Sequence, residues 1–220
     1  MEPRNPRLDK WLLSLARGRK PRVLFVPTAS GDASDYIDRF YRAFGRLPCT
    51  PAHLTLFNRT VMDLRKLVTS QDLIYVGGGN TANMLAVWRL HGVDEALREA
   101  WHGGVVLCGV SAGALCWFEA GVTDSFGREL QPLTNGLGLL PGSFCPHYNG
   151  EADRRPAFQR LVRQGRLPSG FAADDSVALL FEGSHVSDVV RSRPGVQAYE
   201  VLAEHGRAVE RPVAARTLPV

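Results

Sequence analysis

Val105-Val106-Leu107-Cys108-Gly109-Val110-Ser111-Ala112-Gly113-Ala114 decides how the chain is read. Val105–Cys108 is a short apolar run rich in β-branched residues, the pattern of a strand buried on both faces. Gly109-Val110-Ser111-Ala112-Gly113 follows it directly as G-x-S-x-G, and Ala112–Phe118 reads as a helix. A serine on a tight strand-to-helix turn holds a strained backbone, and small residues two positions to either side let the chain pass close by. Its hydroxyl then projects above the C-terminal edge of a sheet. The helix start behind it offers unpaired N–H groups, with the amide of Ala112 the expected first donor to an oxyanion. A helix N-cap serine between glycines packed for close approach is the plain structural alternative.

The same alternation recurs along the chain. Val23–Val26 reads as a strand, and Tyr36, Ile37, Phe40, Tyr41, Phe44 and Leu47 fall at helical spacing. His53–Phe57 is a second candidate strand and Val61–Val68 a candidate helix. Leu73–Val76 is a strand running into Gly77-Gly78-Gly79-Asn80-Thr81, followed by helical Ala82–Leu90 and Val93–Trp101. Ser143–His147 reads as a strand and Asp153–Gln164 as a helix. Val177–Phe181, Val186–Val190 and Val196–Val201 are β-rich and close the chain. Strands alternating with helices predict an α/β fold with a largely parallel sheet covered on both faces. The closing run adds antiparallel strands at an edge. Met1–Lys20 suits either a helix packed on the sheet or a loose arm. No repeat, low-complexity tract or linker divides the chain, so one domain over residues 1–220 is expected.

Composition excludes several classes. The 220 residues are 45% hydrophobic and 22% charged, an ordinary globular balance. No window reaches the roughly 18 uninterrupted apolar residues of a membrane span, and the WLLSLA run is too short for a signal-peptide core. A cytoplasmic protein is expected. The net charge of +4 is spread along the chain and mixed with acids, unlike the stripe of a nucleic-acid binder. Cys49, Cys108, Cys116 and Cys145 lack metal-ligand spacing and read as small buried hydrophobes. No metal or cofactor is expected.

Three successive glycines let backbone amides approach a bound group, so the Gly77–Gly79 loop is a candidate second oxyanion donor. Gly77-x-Gly79-x-x-Ala82 also fits a dinucleotide fingerprint. The unit is not the first βα unit, however, and Glu99 falls inside a predicted helix rather than at a strand end. A serine nucleophile needs a base held by a carboxylate. Of six histidines, His147 in Phe144-Cys145-Pro146-His147-Tyr148-Asn149-Gly150 lies at a predicted strand end, where α/β sheets bind ligands. The acid is Asp174, Asp175 or Asp124. Adjacent residues in extended chain point to opposite sides, so at most one of Asp174 and Asp175 reaches His147.

On these residues the sequence resembles the peptidase E (aspartyl dipeptidase) family of serine peptidases, with cyanophycinase as a relative. The resemblance rests on Val76–Thr81 (VGGGNT), Gly109–Ala114 (GVSAGA), Thr123-Asp124, Pro146-His147 and Ala173–Leu179 (ADDSVAL), in the family's order from Val23 to Val201. It implies a three-layer sandwich like that of class I glutamine amidotransferases. Ser111 is then the nucleophile and His147 the base. The amides of Ala112 and of a loop glycine, Gly79 or Gly78, form the oxyanion hole. The family's third member is a Glu; here Asp175 best matches, one methylene shorter, with Asp174 one step away and Asp124 matching another family acid. The amidotransferase relatives carry Cys where Ser111 stands. The family takes dipeptides with an N-terminal Asp. Such a substrate needs a cation and an anion, for which Glu151, Arg154 and Arg155 are candidates, and Asn80 is a further candidate for substrate contact. Charges at a helix start are equally a solvated face. A short peptide is the expected partner of a monomer or homodimer. A non-catalytic binding relative of the same fold and a dinucleotide enzyme built on the glycine loop are the alternatives.

Overall fold

The computed structural model describes Met1 and residues 5–219. The chain divides into two compact units, Met1–Ala114 and Leu115–Val220. In order, the first carries α1 (Arg7–Leu15), β1 (Arg22–Val26), a 3-10 turn (Thr28–Ser30), α2 (Ser34–Phe44), β2 (Thr50–His53), α3 (Leu64–Thr69), β3 (Leu73–Val76), α4 (Thr81–His91), α5 (Val93–His102) and β4 (Val106–Gly109). A short helix, α6 (Ala112–Leu115), crosses the boundary.

The first unit holds a four-stranded sheet in the order β2-β1-β3-β4, parallel throughout. Alternation along the strands sorts the core. Val23, Phe25, Leu73 and Tyr75 pack with Leu13 of α1 and Phe40 and Phe44 of α2. Phe25 stacks on Phe40, and Phe40 on Phe44. The opposite parity, Leu24, Val26, Ile74 and Val76, is just as buried. Burial on both faces is why these strands read as uninterrupted apolar runs. Of the two expectations for Met1–Lys20, α1 follows the packed helix, since Leu13 joins this core; Glu2–Arg4 lie outside the described residues. The second strand is Thr50–His53 rather than His53–Phe57. Its Pro51 suits an edge strand, while Asp32 takes the amides of Leu56 and Phe57.

The second unit carries β5 (Phe118–Thr123), β6 (Gln131–Leu133), β7 (Leu140–Cys145), α7 (Arg154–Arg163), β8 (Gly170–Ala173), β9 (Val177–Glu182), β10 (His185–Arg191), β11 (Ala198–Glu204), β12 (Arg207–Val213) and β13 (Arg216–Thr217). Six strands order as β12-β11-β8-β7-β5-β6. The β5-β7-β8 centre is parallel, and antiparallel strands close both edges. Helix α7 covers one face, with Phe158, Leu161 and Val162 against Val122, Cys145 and Ala172. Phe144 and Phe171, of opposite parity to Cys145 and Ala172, serve the other face. There Phe181 of β9 meets Phe118 and Phe171 edge-on, and β9 and β10 form a separate antiparallel pair.

The helix after the serine turn ends at Leu115, and Phe118 already begins β5. The carbonyls of Cys116, Trp117 and Phe118 accept from Leu137, Leu140 and Gly138, so the backbone pairs across the chain instead of continuing the helix. Among the described residues no helix is long and apolar enough to cross a membrane.

Candidate active site

In the first unit, β3 and β4 are neighbours in register, Val76 opposite Gly109. The loops that follow them therefore leave the sheet side by side at its C-terminal edge, where open α/β sheets bind ligands. Ser111 sits in the left-handed region, φ 55°, a conformation rare for a residue with a side chain and concentrated at functional sites. The flanking glycines are required by contact. A Cβ at Gly109 would enter the backbone of Gly113, and one at Gly113 would enter the backbone of Val76. A Cβ at Gly78 would lie 3.1 Å from the Ser111 Cβ and 3.7 Å from its Oγ, so the bare glycine leaves room beside the hydroxyl.

The glycine loop sorts its own amides. Gly77 donates to the Val26 carbonyl (3.0 Å) and Asn80 to that of Ala29 (2.8 Å). Gly78 donates to the Tyr36 hydroxyl (3.2 Å). Gly79, at φ 138° and pressed against the backbone of Ala29, has an amide with no acceptor among the described residues. The Asn80 side chain caps α4 by accepting from the Asn83 amide (2.9 Å). Because α6 spans one turn, a helix dipole adds little behind Ser111; the donors on offer are individual amides, those of Ala112 and Gly79. Tyr36, which engages Gly78 from 42 residues away, left no signal in the sequence.

In the second unit, His147 ends the run Phe144-Cys145-Pro146 just past β7 and is also left-handed, φ 56°. Its Nδ1 lies 2.7 Å from Asp175 Oδ1. The Tyr148 amide donates to the Ala173 carbonyl (3.0 Å), which fastens this turn to the end of β8. Of the three candidate acids, the structure brings Asp175 to His147 and turns the other two elsewhere. Asp174 points across to accept from the Gln197 amide (2.8 Å), while Asp175 lies inside the turn that the Val177 amide closes onto the Asp174 carbonyl (3.3 Å). Asp124 is largely exposed, 3.8 Å from Arg154.

Burial pushes the Asp174 carboxyl above the usual carboxylate range, against the opposing hydrogen bond from Gln197. A raised folded-state value makes the folded protein lose stability as pH climbs through it, since the charged form is disfavoured there. Asp174→Asn keeps an acceptor for Gln197 without the charge. It is expected to be at least as stable as the wild type at pH 7, with the advantage gone below the ordinary carboxylate range, as thermal melts across pH would show.

The charges after His147 are engaged. Arg154 is buried; its Nε donates to Glu151 Oε2 (2.7 Å) and its Nη1 to the Val122 carbonyl (3.1 Å). Arg155 pairs with Glu210 and lies over the rings of Tyr148 and Tyr199. Arg154→Ala would strand the Val122 carbonyl and free Glu151. We expect it to cost about 1–3 kcal/mol of stability in denaturant melts, the range for leaving a buried hydrogen-bonding group unsatisfied. Among the described residues no group of three or more His, Cys, Asp or Glu side chains is gathered to hold a metal. The four cysteines form no disulfide with one another, and burial pushes the thiols of Cys108, Cys116 and Cys145 well up, so they stay protonated and poorly nucleophilic.

Comparison with known proteins gives the class first: the protein is a peptidase, a hydrolase on an α/β fold. The model of Peptidase family S51 matches residues 1–189, and the chain belongs to that family. It is 53% identical to the uncharacterized peptidase YgaJ of Bacillus subtilis (strain 168), over 93% of this chain and 89% of that one. It is 30% identical to a peptidase E of Streptomyces coelicolor, over 74% of this chain and 66% of the other. The crystal structure of a peptidase from an acI-B1 Actinobacterium shares the fold, with a TM-score of 0.70 at 23% identity, covering 96% of this chain and 89% of that chain.

Proposed function

We propose that this peptidase is a serine exopeptidase acting on short peptides, with Ser111 as nucleophile, His147 as general base and Asp175 as the carboxylate that orients it, within one α/β peptidase domain. The observation that carries the reading is the backbone of Ser111: a left-handed serine whose turn closes only because Gly109 and Gly113 lack side chains. Ser111 Oγ attacks the scissile carbonyl and gives its proton to His147 Nε2, whose other nitrogen faces Asp175. The amides of Ala112 and Gly79 hold the oxyanion. His147 then protonates the leaving amine, and the acyl-enzyme is hydrolysed by water that His147 deprotonates.

Membership of the family and the likeness to proteins named peptidase E make an N-terminal Asp the first specificity to test. Arg154 and Glu151 already bond each other, so a cation for such a side chain must come from Arg154 in that paired state or from elsewhere. The test is a panel of dipeptides and tripeptides, Asp-X included, each with a free and with a blocked amino terminus, alongside fluorophosphonate labelling. Cleavage led by free Asp-X supports the full proposal. Cleavage of other free peptides keeps the mechanism and moves the specificity. Cleavage indifferent to N-terminal blocking removes the exopeptidase mode. Neither cleavage nor labelling leaves the non-catalytic alternative.

A further inference from the structure

Asp175 has a short side chain, and its carboxylate stands 2.7 Å from His147. Something must bring it there and keep it there. Its side chain is 42% exposed, so solvent offers it other rotamers.

We propose that Asn149 and Gly150 are positioning residues that hold Asp175 against His147, an inference that rests on the catalytic reading of that pair. Two contacts carry it. Asn149 Oδ1 accepts from the backbone amide of Asp175 (3.0 Å), drawing the main chain of the acid toward the histidine turn. Gly150 supplies the wall. A Cβ there would overlap Asp175 Oδ2 and stand 3.1 Å from its Cγ. The carboxylate thus turns Oδ2 toward the bare backbone of Gly150 and Oδ1 toward the imidazole.

The turn itself is braced, because the amides of Gly150 and Glu151 both donate to the His147 carbonyl (3.1 Å each). His147, Asn149 and Gly150 therefore form one rigid corner that sets the imidazole and its acid together.

The two residues act through Asp175 alone, and that makes the proposal testable. Gly150→Ala pushes only the mobile end of a half-exposed side chain, so the fold should tolerate it. We expect a thermal midpoint near that of the wild type, with kcat/KM down about 10- to 100-fold, the scale of an ångström-sized misplacement of a catalytic group. Asn149→Ala should fall in the same range, chiefly in kcat. In the Asp175→Ala background there is no carboxylate to displace, and either second substitution should change kcat/KM less than about threefold. A downfield proton NMR signal from the imidazole N–H facing Asp175 should vanish in Asp175→Ala, which assigns it, and shift or broaden in Gly150→Ala.

Losses just as large in the Asp175→Ala background would overturn the proposal, since the residues would then act elsewhere. So would a wild-type signal and rate in Gly150→Ala while Asp175→Ala is impaired. If Asp175→Ala itself keeps full activity, the catalytic reading of the pair fails, and this inference goes with it.

Discussion

Ser111→Ala is expected to lower kcat/KM on the best-cleaved peptide by about 10⁴- to 10⁶-fold, nearly all of it in kcat, the magnitude of removing a serine nucleophile. The fold should be untouched. Alanine keeps the Cβ, so the left-handed backbone at φ 55° is no more strained than before, and the one helical bond at this residue, from the Ala114 amide to the Ser111 carbonyl, is main chain. The variant should melt with the wild type, bind peptide with similar affinity and resist a fluorophosphonate probe that labels the wild type. Ser111→Gly separates strain from chemistry: it should be as inactive but more stable, since glycine takes positive φ without cost. An active Ser111→Ala enzyme would end the mechanism. The thiols would not replace the serine, because burial holds Cys108 and Cys116 protonated.

What the sequence told in advance follows from how local each feature is. Leu73–Val76 is legible because a strand buried on both faces needs apolar side chains throughout, and the half-buried β4 because Val105–Cys108 is an apolar, β-branched run. The turns after them were legible because close backbone approach admits only glycine at Gly109 and Gly113. Features decided by distant partners were not. The expected helix runs on to Phe118, the first residue of β5, because Cys116–Phe118 has no intrinsic mark of its pairing with residues 137–140. β8, Gly-Phe-Ala-Ala, carries almost no β signal and is a strand only because β7 and β11 flank it. β12 interleaves Arg207, Glu210 and Arg211 with small residues, so its pattern lacks a clean apolar face. Arg154 reads from the sequence as a substrate-binding cation or a solvated helix start, yet its guanidinium is buried and donates to the Val122 carbonyl. The choice between Asp174 and Asp175 shows the limit most sharply. The sequence allows at most one of them to reach His147, and the pairing of Gln197 with Asp174 leaves Asp175 on the histidine. Asn149 and Gly150 lie within the quoted stretch around His147; their contact with Asp175, well over 20 residues on, has no sequence signature.

Asp175→Asn should cost about 10³- to 10⁴-fold in kcat with little change in KM, as expected when the group that orients a catalytic imidazole is lost while the geometry is kept. The proposed cycle needs the proton on His147 Nδ1, pointing at Asp175 Oδ1, so that Nε2 is free to take the proton of Ser111. A carboxylate can only accept, and so it enforces that tautomer. An amide can also donate; with its NH₂ toward Nδ1 it holds the imidazole proton on Nε2, where it blocks the transfer. The carboxylate also stabilises the imidazolium that forms as Ser111 attacks, and the amide does not. Asp174→Asn provides the contrast. It removes a charge one residue away, but its side chain faces Gln197, and kcat should stay within about threefold of the wild type, the scale of a substitution that leaves the reacting groups in place. Both rates should be read from the same peptide across the accessible pH range. A loss confined to Asp175→Asn assigns the acid. Equal losses in the two variants would mean that the net charge of this corner, rather than one oriented carboxylate, is what His147 requires. A loss confined to Asp174→Asn would reverse the assignment, because the bond between His147 and Asp175 would then hold the histidine in place without serving its chemistry.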